Sequence, residues 1–223
     1  MLAIPLQQPK DSIEPCWIND WLEGLDTIAI YGFAASRNAG KYIEIGSGYS
    51  TKVVHRAIED RGLSTRITSI DPHPRAEIDR ICDEVIRQPL EKCELKVFDS
   101  LASGDILFMD GSHRSFMNSD VTVFFLEILP RLKPGVLVHL HDIFLPEDYP
   151  PYWEYRFYPH RYWSEQYLLA ASLLAGHAGY EVVLPNYYVS QTDNLAGILS
   201  AFWSDSRVAG VPQTGCSFWL QTR

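Results

Sequence analysis

Acidic and histidine residues follow two apolar stretches of the chain, in the sequences DGSH and HLHD. The first set contains Asp110 and His113, and the second contains His141 and Asp142. Such a set has three chemical uses: a general base with an orienting carboxylate, ligands for a divalent cation, or a hydrogen-bonded network that shapes a pocket. The residue types alone leave all three interpretations open.

A short glycine-rich loop, EIGSGYST, precedes these residues in the chain. Gly46 and Gly48 let the backbone turn sharply and approach a ligand closely. Thr51 stands where the dinucleotide-binding pattern GxGxxG has its third glycine, which argues against a nicotinamide cofactor. Glu44 would repel a pyrophosphate, but its carboxylate suits an ammonium group held through a bridging water molecule.

Asp71 ends the next apolar stretch, TRITSIDPHP. Its carboxylate is in a position to accept hydrogen bonds from the two hydroxyl groups of a ribose. A ligand with an amino group, a ribose and no phosphate fits Glu44, the glycine loop and Asp71 together. S-adenosylmethionine (SAM) is such a ligand.

The order of six segments is a more specific signal than the glycine loop. They are KYIEIGSGYST, ITSIDPHP, GDILFMDGSH, HLHDIFLPEDYP, YWSEQYLLAASL and CSFWL. From about residue 28 onwards, this order resembles the class I SAM-dependent methyltransferases of methyltransferase family 24, a small-molecule O-methyltransferase-like group. The stretch HDIFLPEDYP after DGSH is more distinctive than the loop.

The resemblance implies a Rossmann-like α/β fold with a seven-stranded, mostly parallel sheet and helices on both faces. The last strand would be antiparallel and lie beside the fifth. The resemblance also implies that Gly46, Ser47 and Gly48 bind the methionine end of SAM, that Asp71 binds the ribose, and that Phe98 and Asp99 lie near the adenine. The cofactor-binding candidates are Glu44, Gly46, Ser47, Gly48, Ser50, Thr51, Asp71, Phe98, Asp99 and Asp110.

The catalytic candidates are Asp110, His113, His141 and Asp142. The family transfers methyl groups to small molecules, and a base or a metal assists when the acceptor is a hydroxyl. Catechol-type methyltransferases hold Mg²⁺ with an Asp after the fourth strand and an Asp-Asn pair after the fifth. Asp110 and Asp142 match in position and are the metal candidates, but Ile143 replaces the asparagine, so one oxygen ligand is missing.

His139 and Glu165 are further residues of interest, but we interpret them differently from the catalytic candidates. His139 lies on the same strand face as His141 but further from the strand end, so we expect it to be buried or paired. Glu165 begins a predicted helix, where an acid interacts favourably with the helix dipole, so we expect it to cap that helix.

Apolar strands alternate with amphipathic helices from Lys41 onwards. Strands are predicted in KYIEIGSG, TRITSIDPHP, CELKVFD, GDILFMDGSH, PGVLVHLHD, YEVVLP and GCSFWLQT, and helices in STKVVHRAIEDRG, AEIDRICDEVI, FMNSDVTVFFLEILPRLK and SEQYLLAASLLAGHA. This alternation predicts a mostly parallel sheet covered on both faces. We expect residues 1–39 to form a helical N-terminal extension and residues 40–223 to form the methyltransferase domain.

The segment YPPYWEYRFYPHRYW, residues 149–163, has eight aromatic residues among fifteen, and its prolines prevent a regular helix or a core strand. Because it follows His141 and Asp142, we expect residues 143–163 to form a lid or a wall around the methyl acceptor. The substrate-binding candidates are Trp153, Tyr155, Phe157 and Tyr158. In the alternative interpretation, several of these rings fill the sheet edge or make a homodimer contact.

The composition limits the possible partners. A net charge of −9 without a basic cluster argues against a nucleic-acid partner. No apolar run approaches the ~20 residues that span a bilayer, and no signal peptide is predicted. The scattered cysteines, Cys16, Cys82, Cys93 and Cys216, are typical of reduced, packed thiols in a cytoplasmic protein.

Two alternatives stand beside a methyltransferase that acts on a small molecule. A non-catalytic SAM-binding protein would have the same glycine loop, because the loop serves binding and turnover alike. An NAD-dependent oxidoreductase would share the sheet and the acid on the ribose. The missing third glycine and Glu44 argue against the oxidoreductase.

Overall fold

The computed structural model describes residues 1–9, 11–151, 153, 161–176, 179–192 and 197–223. In these ranges one sheet contains the strands β1 (Lys41–Ile45), β2 (Arg66–Ile70), β3 (Glu84–Ile86), β4 (Ile106–Met109), β5 (Leu137–Leu140), β6 (Tyr180–Pro185) and β7 (Phe218–Thr222). Their order is β3-β2-β1-β4-β5-β7-β6. Strands β1 to β5 are parallel, and β7 is antiparallel to both β5 and β6. The predicted seven-stranded sheet is therefore confirmed.

The helices of the described ranges are α1 (Gly24–Arg37), α2 (Tyr49–Arg61), α3 (Lys96–Asp99), α4 (Asp120–Val123), α5 (Glu165–Leu174), α6 (Asn186–Ser190) and α7 (Ser200–Trp203). Helix α4 continues as a π-helical turn over Phe124–Ile128 and a 3-10 turn over Leu129–Arg131. Further 3-10 turns cover Asp79–Ile81, Leu90–Lys92 and Ser206–Val208.

Strand β4 shows why the sheet is covered on both faces. All four of its residues are buried. Ile106 and Phe108 pack in the layer that contains α1 and α2, whereas Leu107 and Met109 pack in the layer that contains α4. Because both faces are apolar, ligands have access to the sheet only at its ends.

The third strand differs from its prediction. The segment AEIDRICDEVI, predicted as a helix, contains a 3-10 turn and β3, and CELKVFD, predicted as a strand, contains α3. Asp83 explains the change, because its backbone N–H donates to the carbonyl of Ile67 (2.9 Å) and its carboxylate accepts from the N–H of Ile67 (2.8 Å). These two bonds align residues 84–86 with β2, and pairing at the sheet edge overrides the local helical pattern.

The chain before β1 packs against the sheet. Of the predicted helical extension over residues 1–39, the part from Gly24 to Arg37 is helical. Trp17 is fully buried in the α1 and α2 layer, with its ring 5.5 Å from the ring of Phe202. The N-terminal segment and the region around α7 therefore cover the same face of the sheet.

Candidate active site

The glycine loop begins where β1 and β4 end side by side, at the point where the strand order reverses. Gly46 has φ +77°, and a Cβ atom there would lie 1.7 Å from the carbonyl oxygen of Asp110. The Asp110 N–H in turn donates to the carbonyl of Ile45 (2.9 Å). Only glycine fits at position 46, and the contact fixes the loop against the end of β4.

Glu44 lies behind the glycine loop and supports it. Its fully buried carboxylate accepts hydrogen bonds from the hydroxyls of Ser50 and Thr51 and, at 3.2 Å, from that of Tyr42. Burial raises the pKa of Glu44 to about 7, although the three hydrogen bonds oppose the shift. Thr51 connects this carboxylate to the glycine loop, because its Oγ1 also accepts a hydrogen bond from the Gly48 N–H (3.1 Å).

A cavity of about 420 Å³ opens in front of the loop. Its walls include six of the predicted cofactor-binding residues, Gly46, Ser47, Gly48, Ser50, Asp71 and Asp110. Each carboxylate oxygen of Asp71 already accepts one backbone N–H, from Ser47 (2.9 Å) and from His73 (2.7 Å). A carboxylate oxygen has more than one lone pair, so Asp71 retains acceptor capacity toward the cavity.

Phe98 and Asp99 are not brought to this cavity. Phe98 is 1% exposed within the core, and Asp99 pairs with Arg131, with an Nε–Oδ1 distance of 3.3 Å. The expectation that they lie near the adenine came from the family resemblance together with a strand predicted in CELKVFD, where the structure has α3. After the true β3, the cavity is lined by Pro89, Leu90 and Glu91.

Further lining residues had no signal in the sequence analysis. They are Trp21, Leu22, His73, Arg75, Phe116, Asn118 and Asp120. Asp120 accepts from the backbone N–H of Ser112 at 2.6 Å and from its hydroxyl at 2.5 Å. A Cβ atom on Gly111 would lie 2.3 Å from Asp120 Oδ2. Gly111 and Ser112 of the DGSH sequence therefore lie against Asp120 in the cavity wall. These two positions have a structural role.

His113 lies among three carboxylates. Its Nε2 is 3.1 Å from Asp110 Oδ1 and 3.6 Å from Asp142 Oδ2, and its Nδ1 is 2.8 Å from Glu165 Oε2. Burial favours the neutral ring, but the hydrogen bonds to Asp110 and Glu165 raise the pKa of His113 well above its ordinary value. Burial would likewise raise the pKa of Asp110, but the hydrogen bond from His113 lowers it to about 2. The arrangement favours a protonated imidazolium ion.

Helix α5 supports this arrangement. The backbone N–H groups of Ser164 (2.8 Å) and Glu165 (3.2 Å) both donate to the carbonyl of His113. Oε2 of Glu165 bonds to His113, and its Oε1 has no hydrogen-bond partner among the described residues, so the side chain does not cap its helix. The expectation that it caps α5 was wrong, because its buried carboxylate pairs with His113 instead. The two residues are 52 positions apart, so local sequence patterns do not link them.

His141 and Asp142 face a second group of side chains. Asp142 Oδ1 is 3.2 Å from Cys216 Sγ, and His141 Nε2 is 3.9 Å from the same sulfur. Burial lowers the pKa of His141, but Asp142 and other nearby acids raise it above its ordinary value overall. His139 is fully buried, with its ring 3.8 Å from that of Phe108, and burial lowers its pKa, so its ring is neutral.

The described part of the aromatic segment packs beside His113. The ring of Trp163 lies 4.2 Å from the His113 ring and 4.9 Å from that of Trp153. A second cavity, of about 530 Å³, is lined by Asp148, Tyr149, Pro150, Pro151, Trp153, Arg161, Tyr162, Trp163 and Tyr167. Tyr155, Phe157 and Tyr158 lie outside the described residues, so Trp153 is the predicted substrate-binding residue for which the structure gives a position.

The donor set at Asp110 and Asp142 does not fit Mg²⁺. The space between these carboxylates contains His113 Nε2, 3.1 Å from one and 3.6 Å from the other. Mg²⁺ requires closely spaced oxygen ligands in octahedral geometry. An imidazolium ion already supplies the positive charge that balances these acids, so we derive no catalytic step through magnesium.

A protein-family model matches part of the chain. Residues 43–143 match the model of methyltransferase family 24, which is described as a methyltransferase domain. This match confirms the resemblance for the part of the chain between residues 43 and 143. No match was found among curated proteins.

Solved protein structures similar to this chain include two methyltransferases. The structure of the S-adenosylhomocysteine-bound methyltransferase PaMTH1 from Podospora anserina is similar, with 14% sequence identity and a TM-score of 0.53 over 93% of this chain and 80% of that one. A SAM-dependent methyltransferase from Archaeoglobus fulgidus has 10% identity and a TM-score of 0.46, over 89% of this chain and 92% of its own. The similarity to PaMTH1 confirms the Rossmann-like fold.

Among the described residues, no helix has the length and apolar character needed to cross a membrane.

Proposed function

We propose that this class I methyltransferase domain transfers a methyl group from SAM to a hydroxyl oxygen of a small molecule with an aromatic or planar body. The observation that carries the proposal is the position of His113 between the two cavities. Its Nε2 pairs with Asp110, which lines the first cavity, and its ring contacts Trp163, which lines the second.

The first cavity suits SAM. Asp71 would accept hydrogen bonds from the ribose hydroxyls, and the backbone of residues 46–48 would lie against the methionine part of the molecule. Pro89 and Leu90 line this cavity together with Asp71, whereas Phe98 does not, so they are better candidates for contact with the adenine ring. When bound, SAM supplies a methyl group activated by its positively charged sulfur. Glu44 would act indirectly, through the hydroxyls that hold the loop.

The acids around His113 would deprotonate the acceptor. His113 holds its proton between Asp110 and Glu165, so it is a poor base but an effective counter-charge. The side chains of Asp110 and Asp142 are 24% and 17% exposed, whereas that of Glu165 is 1% exposed. A hydroxyl that enters from the second cavity would donate its proton to Asp142, while His113 offsets part of the negative charge of the three acids around it.

The second cavity suits the body of the acceptor. Trp153 and Trp163 meet edge to face at an interplanar angle of 89°, and the guanidinium of Arg161 lies 4.5 Å and 4.3 Å from their ring centres. Rings held in this way give a large apolar surface with few rotatable bonds. This supports a flat apolar acceptor that presents its hydroxyl toward His113.

The test is a coupled assay that detects S-adenosylhomocysteine with a panel of phenols, aliphatic alcohols and amines. Turnover with phenols is expected. Turnover with amines alone would contradict transfer to oxygen. SAM binding without turnover of any acceptor would favour a non-catalytic SAM-binding protein, and thermal protection by NAD without protection by SAM would favour an oxidoreductase.

A further inference from the structure

A second group of potential ligands lies behind Asp142, on the side away from His113. Asp26 comes from α1, His141 and Asp142 follow β5, and Cys216 precedes β7. One ligand atom each from Asp26, His141 and Cys216 lies within 4.8 Å of the other two. Asp142 faces both groups, because its Oδ2 points to His113 and its Oδ1 points to Cys216.

The distances from the Cys216 sulfur to its neighbours are close to those between ligand atoms in a tetrahedral zinc site. Zn–S bonds of about 2.3 Å and Zn–N or Zn–O bonds of about 2.0–2.2 Å place neighbouring ligand atoms about 3.3–3.6 Å apart. Cys216 Sγ lies 3.2 Å from Asp142 Oδ1, 3.7 Å from Asp26 Oδ2 and 3.9 Å from His141 Nε2. Small shifts of side chains would therefore give a common centre.

His141 provides an independent indication of a missing partner. The residue is 4% exposed, and its Nδ1 has no hydrogen-bond partner among the described residues. Its Nε2 makes only long contacts of 3.9 Å, to Cys216 Sγ and to Asp142 Oδ1. Buried imidazole nitrogens normally have a partner. Nδ1 is the unpartnered atom of His141, whereas Nε2 is the nitrogen that faces the thiol and the Asp142 carboxylate, without a short contact to either.

The ligand carboxylates are also held in place from behind. Asp26 is fully buried and accepts from the backbone N–H groups of Cys216 (2.9 Å) and Ser217 (2.9 Å) and from the amide of Asn186 (2.8 Å). Bonds of this kind orient a ligand before a metal binds. Asp142 is held by its αL backbone, with φ 57°.

We propose that Asp26, His141 and Cys216 bind one structural zinc ion and that Asp142, whose Oδ1 lies 3.2 Å from the Cys216 sulfur, closes the site as the fourth ligand. A thiolate and an imidazole favour Zn²⁺ over Mg²⁺, and four protein ligands leave no open position for substrate. The ion would join α1 to the loop before β7 and fix Asp142 in its orientation toward His113. The site shares Asp142 with the rejected magnesium site but uses its Oδ1, whereas Oδ2 faces His113.

The experiment measures zinc directly in the full chain. Protein treated with a chelator and desalted is titrated with Zn²⁺ against a chromophoric competitor, and bound zinc is then counted by elemental analysis. The wild type and Cys93→Ser are expected to bind about one zinc ion each, whereas Cys216→Ser should bind at least about 100-fold more weakly. Cys93 is the matched control, because it is a partly buried thiol outside the group.

A second measurement uses the wild type alone, in case Cys216→Ser does not fold. Titration with Co²⁺ is expected to produce a thiolate-to-cobalt charge-transfer band and the visible bands of tetrahedral cobalt, which Zn²⁺ then removes. A wild type without stoichiometric zinc, a Co²⁺ spectrum without thiolate bands, or equal zinc affinity in Cys216→Ser would each overturn the proposal. These readouts do not depend on methyl transfer.

Discussion

His113 Nε2 lies 3.6 Å from Asp142 Oδ2, and both residues have a left-handed backbone, with φ values of 59° and 57°. Residues other than glycine rarely adopt this conformation, and where they do it often serves a functional site. Here the two turns aim side chains from neighbouring strand ends at each other. Both residues are therefore held in a strained backbone conformation.

Replacing His113 with Gln should remove both activity and stability. Loss of the imidazolium leaves Asp110, Asp142 and Glu165 uncompensated, so we expect methyl transfer to fall at least about 100-fold and the melting temperature to fall by about 10 °C. Steady-state kinetics and calorimetry measure the two effects. His55→Gln, on the surface of α2, is the control. A variant at position 113 with normal turnover would refute the role in catalysis.

Replacing Asp71 with Ala should weaken S-adenosylhomocysteine binding about 10- to 100-fold, because two charged hydrogen bonds to the ribose are lost. Isothermal titration calorimetry measures the affinity. Asp99→Asn is a discriminating control, because Asp99 lies away from the cavity and should leave the affinity unchanged. If Asp99→Asn weakened binding as much as Asp71→Ala, the cavity would not be the SAM site.

The raised pKa of Glu44 predicts a pH-dependent stability. Because the folded-state pKa is about 7 against an ordinary 4.5, the folded protein binds a proton more tightly, and stability falls as pH rises through this interval. Urea denaturation at about pH 5 and about pH 8 should differ by on the order of 2–3 kcal/mol from this group. Glu44→Gln should lose that component of the difference. An unchanged pH profile in this variant would show that Glu44 is ionised in the folded protein.

Replacing Trp153 with Ala should raise the KM for the acceptor by about tenfold and leave the KM for SAM nearly unchanged. The ring lies in the wall of the second cavity and not in that of the first. Initial rates with each substrate varied in turn give both constants. Tyr188→Ala is the control for an exposed aromatic side chain. Equal changes in both KM values would identify Trp153 as a general stabiliser of the fold.

Magnesium alone should not stimulate the reaction. His113 Nε2 lies between the only two acids that match the magnesium ligands of catechol-type enzymes. Protein dialysed against a chelator should show the same activity with and without added Mg²⁺. Stimulation by more than about tenfold would mean that His113 moves aside and that the acids coordinate the ion.

Features that are local in the sequence were predictable. The apolar runs of β1, β4 and β5 are short and end in glycine or acids, so their order and the residues at their ends followed from the sequence. Gly46, Asp71 and Asp110 all line the first cavity as expected. These residues depend on strand ends, and the pattern of a buried parallel strand is strong.

Features that depend on contacts between distant segments were not predictable. Strand β3 forms because Asp83 bonds to Ile67, although its own residues suggest a helix. Glu165 reaches His113 from 52 residues away, and Asp26 bonds to Cys216 across 190. A lone acid or cysteine carries no signal of its partner, so these assignments require the folded chain.

The position of β7 determines when the sheet can be completed during synthesis of the chain. Strand β7 follows β6 in the sequence, yet it lies between β5 and β6 in the sheet, and Cys216 and Ser217 before it bond to Asp26. During synthesis from the N-terminus, β5 has no partner on that side until residues 215–222 emerge from the ribosome. The edge of the sheet that contains His141 and Asp142 is therefore completed only after residues 215–222 have been synthesised.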